Sequence, residues 1–319
     1  MSDPTASSRN SAAPASIRVV DIDDVAALER HVAFETAHGI PRHQPDELRR
    51  WIGSVDDAVL LVADDVNGNL VGCATASTIA ALGLGNVHIN MLALPHGHET
   101  LRQLADAIEQ WHGAARTDAL FAHVSGPTLE QEDDWLAAGF ERVGTRARLA
   151  RAIMPGDAEF QGVEVAGITI AALAHEPGLE DAALTLWNEC HADIPTSLPF
   201  FRLDRAQWLD EMSIVEGHPI PPSLLVAVTA DGDLAGLAVL RTLGGIAGHR
   251  FTGVSRDWRG RGVASQLKAA LIRWAACNGM TELRTSNDAD NVAMRAVNDR
   301  LGYRELHRIV MFRRLCADD

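Results

Sequence analysis

Apolar and polar positions follow the same order in both halves of the chain. Residues 61–72, LVADDVNGNLVG, combine an apolar strand, an Asn-Gly turn and a second strand, and residues 225–236, LVAVTADGDLAG, repeat this pattern around Asp-Gly. Such dipeptides between apolar runs are typical of β-hairpins. In each half, helical patterns precede the hairpin, and a strand leading into a helix, then a further strand and helix, follow it. This order predicts a mixed α/β fold.

The similarity continues further along both halves. Residues 102–111, RQLADAIEQW, align with residues 265–274, SQLKAALIRW. Residues 135–141, WLAAGFE, align with residues 298–304, NDRLGYR. Matches that keep one order and nearly one register indicate an internal repeat. We therefore predict two tandem domains of similar fold.

Shifts in composition set the bounds of these domains. A length of 319 residues is enough for two domains. A stretch rich in Gly and acidic residues separates the halves, and the first residues are small and polar. We predict a disordered tail over 1–16, a first domain over 17–153, a linker over 154–166 and a second domain over 167–319.

The charge balance limits the possible partners. The chain has 43 acidic and 28 basic residues, for a formal net charge of -15. This excess opposes broad nucleic-acid binding and mildly favours the approach of a cationic substrate. Apolar runs stay shorter than the ~20 residues of a membrane span, and the start lacks the features of a signal peptide, so we expect no membrane partner.

Cysteine usage agrees with a reducing, cytoplasmic location. The four cysteines, without Cys-x-x-Cys or ligand-like spacing, are Cys73, Cys190, Cys277 and Cys316. This spacing predicts neither a disulfide framework nor a zinc site, and we expect no metal.

Residues 256–268, RDWRGRGVASQLK, form a small basic loop that opens a helix at Val263. Gly260 and Gly262 allow close approach to the backbone, and the first N–H groups of the helix have no intrahelical partner. Arg259 and Arg261 add positive charge. The stretch predicts a phosphate site, yet its spacing matches neither a P-loop nor a dinucleotide fingerprint.

The Arg-x-x-Gly-x-Ala stretch from Arg259 to Ala264, placed after the strand-like HRFTGV of residues 249–254, resembles the pyrophosphate loop of the GNAT N-acetyltransferase superfamily. Residues 284–305 resemble its second signature: a strand ends near Asn287, Asn291 opens a helix, and Leu301-Gly302-Tyr303 closes it. The tandem arrangement with a changed first loop also resembles the mycothiol synthase family, whose thiol substrate we do not transfer to this chain.

The resemblance implies two tandem GNAT folds and direct attack of a primary amine, from a small molecule or a peptide, on acetyl-CoA. Val254 is the expected amide donor to the oxyanion, on a strand that splays from its neighbour, with Gly253 permitting a local distortion. Asn291 is expected to contact the CoA arm, or only to cap its helix. The residues expected to hold acetyl-CoA are Thr252, Gly253, Val254, Arg259, Gly260, Arg261, Gly262, Val263, Ala264, Ser265, Asn291 and Asn298.

Proton transfer departs from the family pattern. Asn298 stands where many relatives have a tyrosine that protonates the leaving thiolate, and an asparagine can hydrogen-bond a sulfur but is no useful acid. Tyr303, the only tyrosine, is expected to be packed rather than catalytic. The thiolate is then expected to leave unaided or to be protonated by water.

The general base has several candidates. His249 is titratable near neutral pH and lies within the predicted strand. Glu189, His191 and Asp193 lie in NECHADIP, residues 188–195, a region expected to line the acceptor site. They could bind a cationic amine, accept its proton or only cap a loop, and a water chain fits the sequence equally well.

The first domain has a different loop. When the two halves are aligned, Glu99 takes the position of Gly262, and its carboxylate would repel a pyrophosphate. We therefore expect little or no CoA binding in the first domain and a structural role instead. A non-catalytic acyl-CoA-binding sensor or scaffold remains the alternative function. The sequence leaves the oligomeric state open, because a tandem pair can imitate a dimer within one chain.

Overall fold

The computed structural model describes residues 15–38, 44–53, 57–78, 86–113, 116–176, 178–194, 202–212 and 219–316. Most of the predicted disordered tail, residues 1–14, lies outside these ranges. Ser16, the last residue of that predicted tail, is the first residue of a strand.

Helices and strands alternate along the chain as the apolar pattern predicts. The helices are α1 Val25–Ala37, α2 Pro45–Gly53, α3 His98–His112, α4 Leu129–Ala137, α5 Glu180–Ala192, α6 Arg205–Glu211, α7 Val263–Cys277 and α8 Val292–Arg300. The strands are β1 Ser16–Val19, β2 Ala58–Asp64, β3 Leu70–Thr78, β4 Asn86–Ala93, β5 Ala119–Ser125, β6 Glu141–Ala152, β7 Ile168–Ala172, β8 Leu224–Thr229, β9 Leu234–Leu243, β10 Ile246–Val254, β11 Glu282–Asp288 and β12 Arg304–Leu315. None of the helices in the described ranges is both long and apolar enough to cross a bilayer.

The first compact unit comprises residues 1–79, 85–142 and 312–319. Its strands follow the order β1-β2-β3-β4-β5, with the end of β12 beside β5. Neighbours are antiparallel except β4 and β5, which run parallel. Helices α1 and α2 pack on one face of this sheet, and α3 packs on the other, where Thr100 and Leu104 approach Gly72 of β3.

The second compact unit comprises residues 80–84 and 143–311. Its strands follow the order β12-β6-β11-β10-β9-β8-β7, and β10 and β11 are parallel. Helices α5 and α6 cover one face through Trp187 and Trp208, and α7 covers the other through Leu267 and Leu271. Both hairpins predicted from Asn-Gly and Asp-Gly, β2–β3 and β8–β9, are confirmed.

The parallel pair of the second unit opens part-way along its length. β10 pairs with β11 only from Ile246 to Gly248, opposite Glu282 to Arg284. Beyond Gly248, β10 continues alongside β9 to Val254 while β11 diverges. The splayed strand expected from the family resemblance is therefore present, and it exposes one edge of β10.

The predicted linker packs on helix α7. The carbonyl of Phe160 accepts a hydrogen bond from Arg273 at 2.8 Å, and a Cβ at Gly162 would lie 2.4 Å from the Cβ of Ala269. Phe160 and Gly162 thus pack against the core of the second unit. The predicted domain bounds stay a prediction about the sequence repeat, because contact units need not coincide with repeats.

Candidate active site

Strand β10 contains a β-bulge at Arg250. His249 lies opposite Leu240 and Phe251 opposite Val239, which leaves Arg250 as the extra residue. A bulge of this kind shifts the alternation of side chains along a strand. His249 therefore packs with Tyr303 on one face of the sheet, and Phe251 packs with Trp187 on the other.

Gly253 is required for helix packing. We expected a strand distortion at Gly253, but it lies at Arg250 instead, since residues 252–254 keep regular register with β9. A Cβ at Gly253 would lie 2.8 Å from the Cβ of Cys190 and 2.7 Å from Cε1 of Phe251. Helix α5 thus rests directly on the backbone of β10, where burial raises the pKa of the Cys190 thiol to about 11.

The amide of Val254 points into the opening between β10 and β11. The N–H of the next residue, Ser255, donates to Ala235 on the β9 side at 2.9 Å. Because successive N–H groups of a strand point to opposite sides, the N–H and C=O of Val254 point away from β9. Its carbonyl accepts a hydrogen bond from Nε of Arg259 at 3.0 Å.

The glycine loop presents six backbone donors together. Gly260 and Gly262 have φ values of 73° and 94°, in the left-handed region that glycine adopts without strain. Gly262 is the N-cap of α7, and the first helical bond runs from Gln266 N–H to its carbonyl at 3.0 Å. Within the described ranges, the N–H groups of residues 260–265 have no acceptor. They lie at the positive end of the helix dipole, which favours an anion.

One carboxylate holds two loop arginines. Asp193 accepts hydrogen bonds from Nε and Nη2 of Arg256 at 2.8 and 2.7 Å, and from Nη2 of Arg259 at 2.8 Å. The two guanidinium groups, Arg256 first, hold the pKa of this carboxyl well below its usual range. Arg261 lies 5.0 Å from the centre of the Trp258 ring. The three arginines are matched by three carboxylates, those of Asp257 in the loop and of Asp193 and Glu189 beside it, so the loop carries no net charge and its backbone amides are the main attraction for an anion.

The predicted acceptor cluster is divided between two places. Glu189 lies beside the loop, where its Oε1 accepts a hydrogen bond from the N–H of Arg256 at 3.3 Å. His191 instead stacks on Phe251, with ring centres 4.7 Å apart and planes 7° apart. Burial, followed by the charge of Arg250, lowers the pKa of His191 to about 4, so this ring is neutral at pH 7. Pro195 lies outside the described residues.

His249 faces the core rather than the opening. Its Nε2 lies 2.5 Å from the hydroxyl oxygen of Tyr303. Burial, followed by the charge of Lys268, puts the pKa of His249 well below its usual value. The structure therefore gives no support to His249 as the base, and Tyr303 is packed as expected.

The two predicted asparagines make local contacts. Asn291 Oδ1 accepts a hydrogen bond from the N–H of Met294 at 3.2 Å and so caps α8. Asn298 is fully buried, and its Nδ2 donates to Oδ1 of Asn287 at 2.5 Å. The Oδ1 of Asn298 has no partner among the described residues. Both side chains lie along the edge formed by β11 and α8.

The equivalent loop of the first unit has a different backbone conformation. Helix α3 begins at His98 with Gly97 as its cap, so Glu99 lies inside the first turn and not at a left-handed position, which corrects the expected correspondence with Gly262. Its carboxylate accepts hydrogen bonds from Arg102 at 2.6 Å and Gln103 at 3.0 Å. A Cβ at Gly97 would lie 2.4 Å from the carbonyl oxygen of Leu94, so the loop folds tightly onto its own strand.

The sequence did not predict two features of the site: the hydrogen bonds of Asp193 with the loop arginines, and the burial of Lys268 next to His249. Lys268 is the only lysine of the chain, and it is buried with its Nζ 5.2 Å from the centre of the Tyr303 ring. A lone lysine on the apolar face of a predicted helix was the available signal.

Comparisons with known proteins agree with this geometry. Residues 184–303 match the Acetyltransferase (GNAT) family. The chain is 26% identical over 272 residues to a mycothiol acetyltransferase of Clavibacter michiganensis subsp. michiganensis, with 84% of each chain covered.

Solved structures match the fold of nearly the whole chain. A GCN5-related N-acetyltransferase from Sphaerobacter thermophilus has a TM-score of 0.73 at 19% identity, with 96% of each chain covered. A tandem GNAT protein from the clavulanic acid biosynthesis pathway has a TM-score of 0.68 at 17% identity, covering 96% of this chain and 99% of that protein. The chain is therefore an acyltransferase with two tandem GNAT folds, in which residues 184–303 form a GNAT acetyltransferase domain.

Proposed function

We propose that this chain transfers an acetyl group from acetyl-CoA to a primary amine by direct attack, with the chemistry in its second repeat. The observation that carries this proposal is the set of six amides at residues 260–265, at the start of α7, for which the described part of the chain offers no acceptor. Backbone donors at a helix N-terminus suit the pyrophosphate of CoA.

The loop arginines connect this site to strand β10. Arg256 and Arg259 are oriented by Asp193, and Arg259 is also bonded to the carbonyl of Val254. This network ties the phosphate loop to the end of β10. A donor molecule held by its phosphates is thereby aligned with the open edge of that strand.

Val254 is the proposed oxyanion donor. Its N–H points into the opening beyond Gly248, where β11 no longer pairs with β10. A fixed amide in this place stabilises negative charge as it develops on the carbonyl oxygen, and such a donor contributes on the order of a hundredfold in rate. The backbone groups of Thr252 point to the same side as those of Val254, whereas those of Gly253 point towards β9.

The reaction forms a C–N bond and breaks the thioester C–S bond. A protonated amine loses one proton before it attacks and a second as the amide forms. The departing sulfur takes up one proton from water, because Asn298 cannot supply one, so one proton is released per turnover. Glu189 is the proposed base, since its carboxylate lies beside Arg256 at the end of β10. Its negative charge also attracts a protonated amine before attack.

The test is release of free CoA from acetyl-CoA in the presence of a panel of primary amines. Glu189→Gln is expected to lower kcat/KM on the order of a hundredfold and to remove the limb of the pH–rate profile due to the base, while acetyl-CoA affinity holds. Asp181→Asn, on the same helix and exposed, is the matched control.

Two results would count against these assignments. Acetyl-CoA binding without amine-dependent release would favour the sensor or scaffold alternative. Full activity of Glu189→Gln would remove Glu189 as the base and leave water in that role.

A further inference from the structure

The first unit contains a buried cluster of three side chains with different donor atoms. His31 and Glu35 lie one turn apart on α1, and Cys73 lies on β3. One nitrogen, oxygen or sulfur atom from each residue lies within 4.8 Å of the other two. The closest measured pair, His31 Nε2 and Glu35 Oε1, is 3.5 Å apart.

These side chains are enclosed in an apolar core. His31 is 0%, Cys73 1% and Glu35 8% exposed, among residues such as Leu28 and Val62. In the part of the chain that the structure describes, Nδ1 and Nε2 of His31 and Oε2 of Glu35 have no hydrogen-bond partner. Each buried polar atom without a partner destabilises the folded state by about 1–3 kcal/mol. A ligand that bonds to these atoms would remove that penalty.

The donor set matches a zinc ion. Thiolate, imidazole and carboxylate are the ligands that zinc takes in proteins, at bond lengths of about 2.0–2.3 Å that set tetrahedral ligand atoms roughly 3.5 Å apart. A thiolate and a carboxylate also carry two negative charges, which balance a divalent cation in the apolar core.

A small cavity borders Glu35, one member of the cluster. Its volume is about 20 Å³, and its lining includes Glu35, Asn90, His123 and Trp135 but neither His31 nor Cys73. This is enough space for one water molecule next to the Glu35 carboxylate.

We propose that His31, Glu35 and Cys73 bind one zinc ion, with a water as the fourth ligand. The ion stabilises the first unit by joining α1 to the central strand β3. Linear spacing of the cysteines did not predict this site, because only one of its ligands is a cysteine. The site is independent of the acetyl-transfer chemistry proposed for the second repeat.

The experiment is a metal titration of the full chain. After dialysis against a chelator, cobalt(II) is added and the absorption spectrum is recorded. We expect uptake of one cobalt per chain, with a sulfur-to-cobalt charge-transfer band and the visible bands of a tetrahedral ion, all displaced by zinc. Zinc is also expected to raise Tm.

Variants assign the ligands. Cys73→Ser should lose the charge-transfer band, and Glu35→Gln should weaken zinc affinity at least tenfold. Cys277→Ser, which changes an exposed cysteine, should leave the band and the stoichiometry unchanged.

Failure of the wild-type chain to take up one metal would overturn the proposal whether or not the variants fold. An unchanged band in Cys73→Ser, or its loss in Cys277→Ser, would overturn it equally, since the thiolate ligand would then not be Cys73.

Discussion

At the scale of single residues, the chemistry of the second unit depends on which face of β10 each side chain occupies. The sequence predicts the glycine loop because its spacing is local. It does not predict the bulge at Arg250, which separates His249 from Phe251 and places His249, one candidate base from the sequence, against Tyr303. A period of two along the strand would place both on one face.

The sequence also does not predict that Asp193 accepts hydrogen bonds from both Arg256 and Arg259. The sequence identifies the carboxylate and the arginines, but their pairing joins the end of α5 to the loop before α7. Only the packing of α5 on Gly253 brings these groups together.

The burial of Lys268 predicts how the free energy of unfolding depends on pH. Burial lowers the pKa of its ammonium group from 10.5 to about 7 in the folded chain. Between these values the unfolded chain binds a proton that the folded chain does not, so stability rises with pH across this window, by about 1.4 kcal/mol per pH unit from this group. Lys268→Met should remove that rise and increase the free energy of unfolding at pH 7.

Urea unfolding of both proteins between pH 7 and 10 measures this. Equal slopes would show that Lys268 is not buried as a neutral amine. The other titratable groups that face Lys268, His249 and Tyr303, are present in both proteins. The difference between the two pH slopes therefore reports on Lys268.

At the scale of elements, the active face is built from β10, α5 and α7. The helix starts and the hairpins follow from the sequence, because caps and turn residues are local signals. The contact between α5 and β10 depends on a missing side chain at Gly253, which carries no local signal. A glycine within a strand equally suggests a bulge.

Gly253→Ala tests that contact. The new methyl group would overlap Cys190 and Phe251, so we expect a loss of stability of about 1–3 kcal/mol and weaker acetyl-CoA binding. Adding Cys190→Ala should recover part of both losses. Gly248→Ala, whose Cβ would lie 3.9 Å from its nearest neighbour, is the matched control.

Thermal unfolding and calorimetric titration of the four proteins distinguish the outcomes. If Gly253→Ala behaves like Gly248→Ala, then α5 does not rest on the strand as closely as the structure shows. No recovery with Cys190→Ala would show that Sγ is not the limiting contact and would leave Phe251 and the Cβ of residue 190, which alanine keeps.

At the scale of the whole molecule, the repeat predicted from the sequence corresponds to two GNAT folds that share a strand pattern and differ in their loops. Each has a parallel pair that is short, β4 with β5 and β10 with β11. The N–H groups of residues 97–100 also have no acceptor among the described residues, so the two loops differ in backbone shape rather than in free amides. Gly262 caps α7 at a φ of 94°, whereas Gly97 caps α3 at a φ of -90°. The expectation of a single CoA site thus has a structural reason beyond the charge of Glu99.

Calorimetric titration of acetyl-CoA into the intact chain tests the central claim most directly. We predict one site per chain, no measurable binding in Gly262→Glu, and normal binding in Gly232→Glu, which carries the same left-handed strain in the β8–β9 turn. Two sites in the wild-type chain would show that the first loop also binds. No binding, or unchanged binding in Gly262→Glu, would contradict the assignment of the phosphate site.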